Sequence, residues 1–137
     1  MDFKRIRQPE FEYLFRCYNK TDDRLYDVIG FDGDEVIVDR DGEAARFSRE
    51  DCEIDQWTGL LDQDEREIFT NDVVEVFNSF GRPVGLFIVR YNNREGRYIL
   101  DGVTRGAHIS RITRYQNIRI VGNAHEKHFN VKGYAHV

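Results

Sequence analysis

Two Asp-Gly pairs, Asp32-Gly33 and Asp41-Gly42, stand close together with short apolar runs on either side. They constrain the chain more than any other feature. Asp and Gly both tolerate the positive φ that a tight hairpin turn needs, so apolar runs flanking such a pair are expected to fold back on each other. "LYDVIGF", "EVIVDR" and "EAARFS" therefore read as short strands. "EYLFRCY", from Glu12 to Tyr18, precedes them across the polar turn "NKTDDR", and "CEIDQW" follows. Residues 12–57 become an antiparallel meander.

The second half reads differently. "DVVEVFNSF" and "PVGLFIVRY" are strands, "NNREG" turns into "RYIL", and "NIRIVG" closes the series. The unbroken apolar stretch from Leu86 to Val89 implies burial on both faces, as at the centre of a small barrel. Ile109, Ile112 and Tyr115 recur every third residue, which predicts a short helix over 107–115. Seven Tyr and ten Phe, with many Val and Ile, favour strands elsewhere. The expected fold is mainly β. An N-terminal meander (1–58) is joined by a polar connector (59–71) to an SH3-like, barrel-type unit with a tail (72–137), together one compact domain.

Composition narrows the functional classes. No apolar run approaches the roughly 20 residues that cross a bilayer as a helix, and "MDFKRIRQPEFEY" has no apolar core behind its basic residues. No membrane association or secretory signal is expected. Cys17 and Cys52 are too few and too far apart for a disulfide framework and are expected to act as small, reduced apolar side chains. Residues 1–79 hold 10 Lys/Arg against 22 Asp/Glu, a net of −12, whereas residues 80–137 hold 10 against three, a net of +7. Halves of opposite sign attract, within one chain or between chains.

Motifs that resemble active sites fail on spacing. "DRDGE" at Asp39–Glu43 lacks the Gly at position 6 and the Glu at position 12 of an EF-hand loop, so it reads as a hairpin. "DQDERE", Asp62–Glu67, concentrates carboxylates with no His or Cys nearby and reads as a solvated linker. His125 and His128 stand three apart without the HExxH spacing or a defined third ligand, so no metal site is expected. No phosphate-binding loop or nucleophile elbow occurs. No cofactor is expected, nor any catalytic residue. The basic series Arg105, His108, Arg111 and Arg114 is the candidate contact for an acidic partner or nucleic acid, although at helical spacing its stripe winds round the axis.

The stretch "QWTGLLDQDEREIFTNDVVEV" resembles the signature of the YopX family of phage and prophage proteins. That signature runs Gln-aromatic-Thr-Gly-Leu, an Asp two residues on, a short turn, Glu-Ile-aromatic and Gly-Asp-Ile-Val. Gln56, Thr58, Gly59, Leu60, Asp62, Glu67, Ile68, Phe69, Asp72 and Val74 stand at matching positions. "LFRCYNKTDDRLYDVIGFD" is similar to the family's opening block and "IRIVGNAHE" to its closing one. This chain departs from the pattern at Trp57, where the family has Tyr or Phe, and at Asp64-Glu65, where it tends to have Asn-Gly. Asn71 replaces Gly before Asp72. The resemblance implies a phage origin and a bacterial cytoplasm, and it supplies no reaction to carry over.

The connector residues Gln56, Trp57, Thr58, Gly59, Asp62, Ile68, Asn71 and Asp72 are accordingly expected to specify the fold. Gly59 and Asn71 serve as backbone hinges, Trp57 and Ile68 as packing at the ends, and Asp72 as a turn former. The functional expectation is a non-enzymatic accessory protein that self-associates into a homo-oligomer or binds a host or phage protein. A nucleic-acid-binding module using the basic half is the alternative.

Overall fold

The computed structural model describes residues 14–103, 112 and 117–126. Ten strands account for most of them: β1 (Phe15–Asn19), β2 (Arg24–Asp32), β3 (Glu35–Arg40), β4 (Glu43–Ser48), β5 (Cys52–Leu61), β6 (Glu67–Phe69), β7 (Asp72–Phe77), β8 (Pro83–Asn92), β9 (Arg97–Gly102) and β10 (Asn117–Asn123). A 3-10 turn at Arg49–Asp51 separates β4 from β5. The chain divides into two units, residues 1–57 and 58–137, so the boundary falls inside β5. No helix among the described residues is long and apolar enough to cross a membrane.

In the first unit the strand order is β4-β3-β2-β1-β5, and every neighbouring pair is antiparallel. The two Asp-Gly pairs form their turns by different routes. Asp41 (φ 52°) and Gly42 (φ 91°) are both left-handed, the pattern of a type I′ turn between Arg40 and Glu43. Between Asp32 and Glu35 only Gly33 is left-handed (φ 59°), as in a type II′ turn.

The fifth strand returns beside the first. In a flat sheet β4 and β5 would lie four strand spacings apart, about 19 Å. The four Cα steps from Ser48 to Cys52 span at most about 15 Å, and less in a 3-10 turn. The sheet must therefore coil. The apolar side chains gather on one face: Cys17, Tyr26, Val28, Val36 and Val38 are buried, with Phe15, Ala45, Phe47, Cys52 and Ile54 packed against them. Burial pushes the Cys17 thiol well above its ordinary range, and the neighbouring Cys52 thiol adds to the effect. Both cysteines are free. The opposite face carries charge. Arg16 stands across from Asp55 on one side and Asp27 on the other, and its Nη2 lies 3.0 Å from the buried Asp55 carboxylate.

In the second unit β7 and β8 form the middle of a four-stranded antiparallel sheet of order β10-β7-β8-β9. Val74, Val76, Phe87, Val89, Leu100 and Ile118 form its main core with Ile68 and Ile112. Val73, Leu86 and Ile88 are buried as well, so the central strands are covered on both faces.

A barrel-type unit over residues 72–122 does not form: the sheet is open, and β9 and β10 are its two edges, unpaired with each other. The reason lies on β10. The amide of Ile120 and the carbonyl of Ile118 are engaged by residues 62 and 63, so that edge is spent on a loop instead of on closure with β9. The helix expected over 107–115 lies outside the described residues, except for Ile112, which is buried in the core.

Candidate functional site

Nearly half of the stretch read as a polar connector is strand. β5 continues through Gly59 to Leu61, β6 covers Glu67–Phe69, and the irregular part shrinks to residues 62–66 and a turn at Thr70-Asn71. Gly59 has φ 84° within the strand, and a Cβ built there meets nothing within 4 Å. Backbone conformation, not space, calls for glycine at this position. Thr58 donates through Oγ1 to the carbonyl of Ile68 (2.8 Å) and accepts the amide of Leu60 (3.2 Å). Ile68 is fully buried. Gln56 stands opposite Phe15, and the amide of Trp57 donates to the carbonyl of Leu14, so these two belong to the β1–β5 pairing.

Asp62 organises the loop. Its Oδ1 accepts the amides of Asp64 (2.8 Å) and Arg66 (2.9 Å). Its Oδ2 accepts the amide of Ile120 (3.0 Å) and Nε of Arg66 (3.1 Å). Arg66 in turn donates through Nη2 to the carbonyl of Ile120 (2.8 Å), and the amide of Gln63 donates to the carbonyl of Ile118. Burial alone would raise the Asp62 pKa. The amides of Ile120, Arg66 and Asp64, with the Arg66 charge, outweigh it and hold the carboxyl below its ordinary value. A bulge between Ile120 and Gly122 shifts the register of β10 beside this contact.

Asp72 does the same for the next turn. Its Oδ2 accepts the amide of Phe69 (2.8 Å) and its Oδ1 accepts Nδ2 of Asn123 (3.3 Å). The Oδ1 of Asn123 accepts the amide of His125 (2.9 Å). Asn71 is left-handed (φ 71°), and its carbonyl accepts the amide of Ala124 (2.8 Å). Glu65, where the family tends to have Gly, is also left-handed (φ 63°).

Of the residues singled out from sequence, Asp62, Asn71 and Asp72 thus all meet the segment 120–124. Arg105, His108, Arg111, Arg114 and His128 lie outside the described residues. Among the described residues, no three His, Cys, Asp or Glu side chains are grouped to hold a metal. Sequence reasoning missed Arg66 and Asn123. For Arg66 the only signal was its place four residues after Asp62, within reach of an Asp-centred turn.

These observations define an all-β protein in which the central block "QWTGLLDQDEREIFTND" and the closing block "IVGN" are joined by buried carboxylates. The chain belongs to the YopX family: the model of the YopX protein matches residues 14–128. It is also similar to the crystal structure of protein EF1440 from Enterococcus faecalis, at 18% identity and a TM-score of 0.53. That match covers 82% of this chain and 92% of that one. At that identity the likeness is one of fold. No curated protein matches the chain.

Proposed function

We propose that this chain is a non-enzymatic phage or prophage accessory protein that acts in the bacterial cytoplasm by associating with itself or with another protein. One observation carries the reading: each unit leaves large apolar side chains in water. Ile29 and Phe31 are exposed in the first unit, and Phe80, Val84 and Tyr91 in the second. Exposed aromatic and branched side chains supply affinity when a partner covers them. The conspicuous carboxylates Asp62 and Asp72 are engaged in fixing loops, which supports a structural role for the family's central block.

Charge bears on the choice between protein and nucleic acid. Counted by unit, residues 1–57 hold nine Lys/Arg and 16 Asp/Glu, while residues 58–137 hold 11 and nine. The net charges of −7 and +2 differ less than the halves of the sequence do, because the acids of the connector belong to the second unit. A unit so nearly neutral attracts phosphate weakly.

Light scattering after size exclusion, with DNA and RNA titrations at rising salt, tests the proposal. An oligomer, or a captured protein partner, without nucleic-acid binding is expected. A monomer that binds DNA or RNA with a steep inverse salt dependence overturns it.

A further inference from the structure

The sheet of the second unit has one edge left to fill. β10 spends its outer side on the Asp62 loop, whereas β9 has no further strand beside it among the described residues. The amide of Val103 donates to the carbonyl of Leu86. Backbone groups alternate in direction along a strand. Asp101, Ile99 and Arg97 therefore turn theirs to β8 as well, and Leu100 and Gly102 turn theirs outward. An open row of this kind is a template for another strand.

The side chains of β9 select the strand that fits it. Arg97 and Asp101 are its charged residues, four apart with Ile99 midway. These three lie on one face. Tyr98 and Leu100 lie on the other, where Leu100 is buried in the core and Tyr98 packs against it. Residues opposite each other in an antiparallel pair share one backbone direction, so two copies of a strand oppose only residues an even number apart. Arg97 and Asp101 satisfy this. Glu43 and Arg46, the two charges of the other unit's edge strand β4, stand three apart and never oppose each other. With Ile99 opposite Ile99, Arg97 faces Asp101 on both sides of a twofold axis, and Tyr98 faces Leu100. Sliding the strands by two residues one way brings Asp101 toward Glu95, and the other way sets it against Ile99.

Both charges have bonding capacity to spare. The Asp101 side chain is 59% exposed, and its carboxylate accepts Nε of Arg90 at 3.3 Å. Arg97 pairs with Glu95 through Nη2, while its Nε is shielded from water and has no acceptor among the described residues. Resting on the self-association proposed above, we infer that two copies of this chain join through their β9 edges, antiparallel about a twofold axis at Ile99. The contact merges two four-stranded sheets into one of eight strands. Backbone bonds along the edge and the shared apolar layer supply the affinity, and the two Arg97–Asp101 pairs fix the register.

The test uses the full chain, with light scattering over a wide concentration range and cysteine cross-linking. Wild type should assemble. Asp101→Arg and Arg97→Asp should each weaken assembly by at least about tenfold, because like charges then stand opposite at both ends of the contact. Mixing the two variants should restore it, since each supplies the charge the other lacks. Ile99→Cys leaves those charges in place. The two Cα atoms at the axis come within about 4.5 Å, so diamide should lock this variant into a covalent dimer. Asp101→Cys, about 13 Å from its copy, should cross-link no more than the wild type with its native Cys17 and Cys52. If wild type assembles but both charge variants assemble equally well, or Ile99→Cys cross-links no better than Asp101→Cys, this contact is overturned while self-association stands. A wild type that stays monomeric at every concentration overturns both.

Discussion

An aspartate closes loops in both units of this molecule, and two of these loops differ in reach. In the first unit the Oδ1 of Asp39, a half-buried residue, accepts the amide of Gly42, three residues on, in an exposed bond. In the second, the side chain of Asp62 is buried and accepts the amide of Ile120, 58 residues on. The first arrangement is local and could form in a short peptide. The second exists only when distant segments meet, so it converts a loop into a tie across the sheet. The difference teaches that a unit can be specified by its turns or by its long-range polar contacts, and that this chain does both in succession.

Removing the tie should have the largest effect. Asp62→Ala leaves the amides of Asp64, Arg66 and Ile120 without their acceptor, and a loss of about 4 kcal/mol is expected. Amide exchange with denaturant titration reads it by region: β10 should lose protection while β3 and β4 keep theirs. Equal loss in both would break the comparison. The same carboxyl sets an acid response. Its folded pKa lies below the ordinary value, so its contribution is complete above about pH 4–5 and disappears as pH falls through the folded value. Asp62→Ala should flatten that part of the stability–pH curve.

Gly59→Val comes next, forcing a branched side chain into a left-handed conformation at a cost of about 2 kcal/mol. Since a Cβ there meets nothing, Gly59→Asn should be much milder, and equal losses for the two would point to crowding instead of backbone strain. Glu65→Gly should stabilise the protein by about 0.5 kcal/mol. It relieves a left-handed Glu, partly offset by the greater freedom of unfolded glycine. A lowered melting midpoint would mean that the Glu65 side chain supports the loop.

The smallest effect sharpens the contrast in sign. Asp27 is exposed by area, yet the strands on either side keep water from its carboxyl, and Asp39 faces it from β3. Both raise its pKa, against the opposing pull of Arg16. A raised carboxyl binds protons more tightly in the folded state, so its contribution improves as pH falls through the folded value and is unfavourable at neutral pH. Asp27→Asn should therefore raise stability at pH 7 by only about 0.3 kcal/mol, because exposed charges are screened. A clear loss would show that Asp27 is held by Arg16 more strongly than it is repelled by Asp39.

The same distinction explains what could be read from the sequence. The hairpins at Gly33 and Gly42, and the strands Glu35–Arg40 and Glu43–Ser48, follow from neighbouring residues alone, and those strand bounds match the expectation residue for residue. Gly59 and Asn71, expected as hinges from the resemblance to the family signature, are both left-handed (φ 84° and 71°). The length of β5 was not legible: the polar connector was expected to begin at residue 59, but β5 runs on to Leu61, with the Thr58 hydroxyl bonded to Ile68. Nor was the open sheet. Apolar runs fix how many strands there are, but the contest for the β10 edge between β9 and the Asp62 loop is decided by a carboxylate that looked solvated.

The tie between Asp62 and Ile120 also bears on how the chain matures during translation. A ribosome releases residues in order, and domains begin folding from the N-terminal end as they emerge. The first unit has all its partners once β5 is out. The second must wait for roughly 60 further residues, with β7 presenting an unpaired edge and Asp62 lacking the Ile120 amide. Nascent chains arrested before Asn117 should be the protease-sensitive, aggregation-prone species of this protein, and release of β10 should end that vulnerability in a single step.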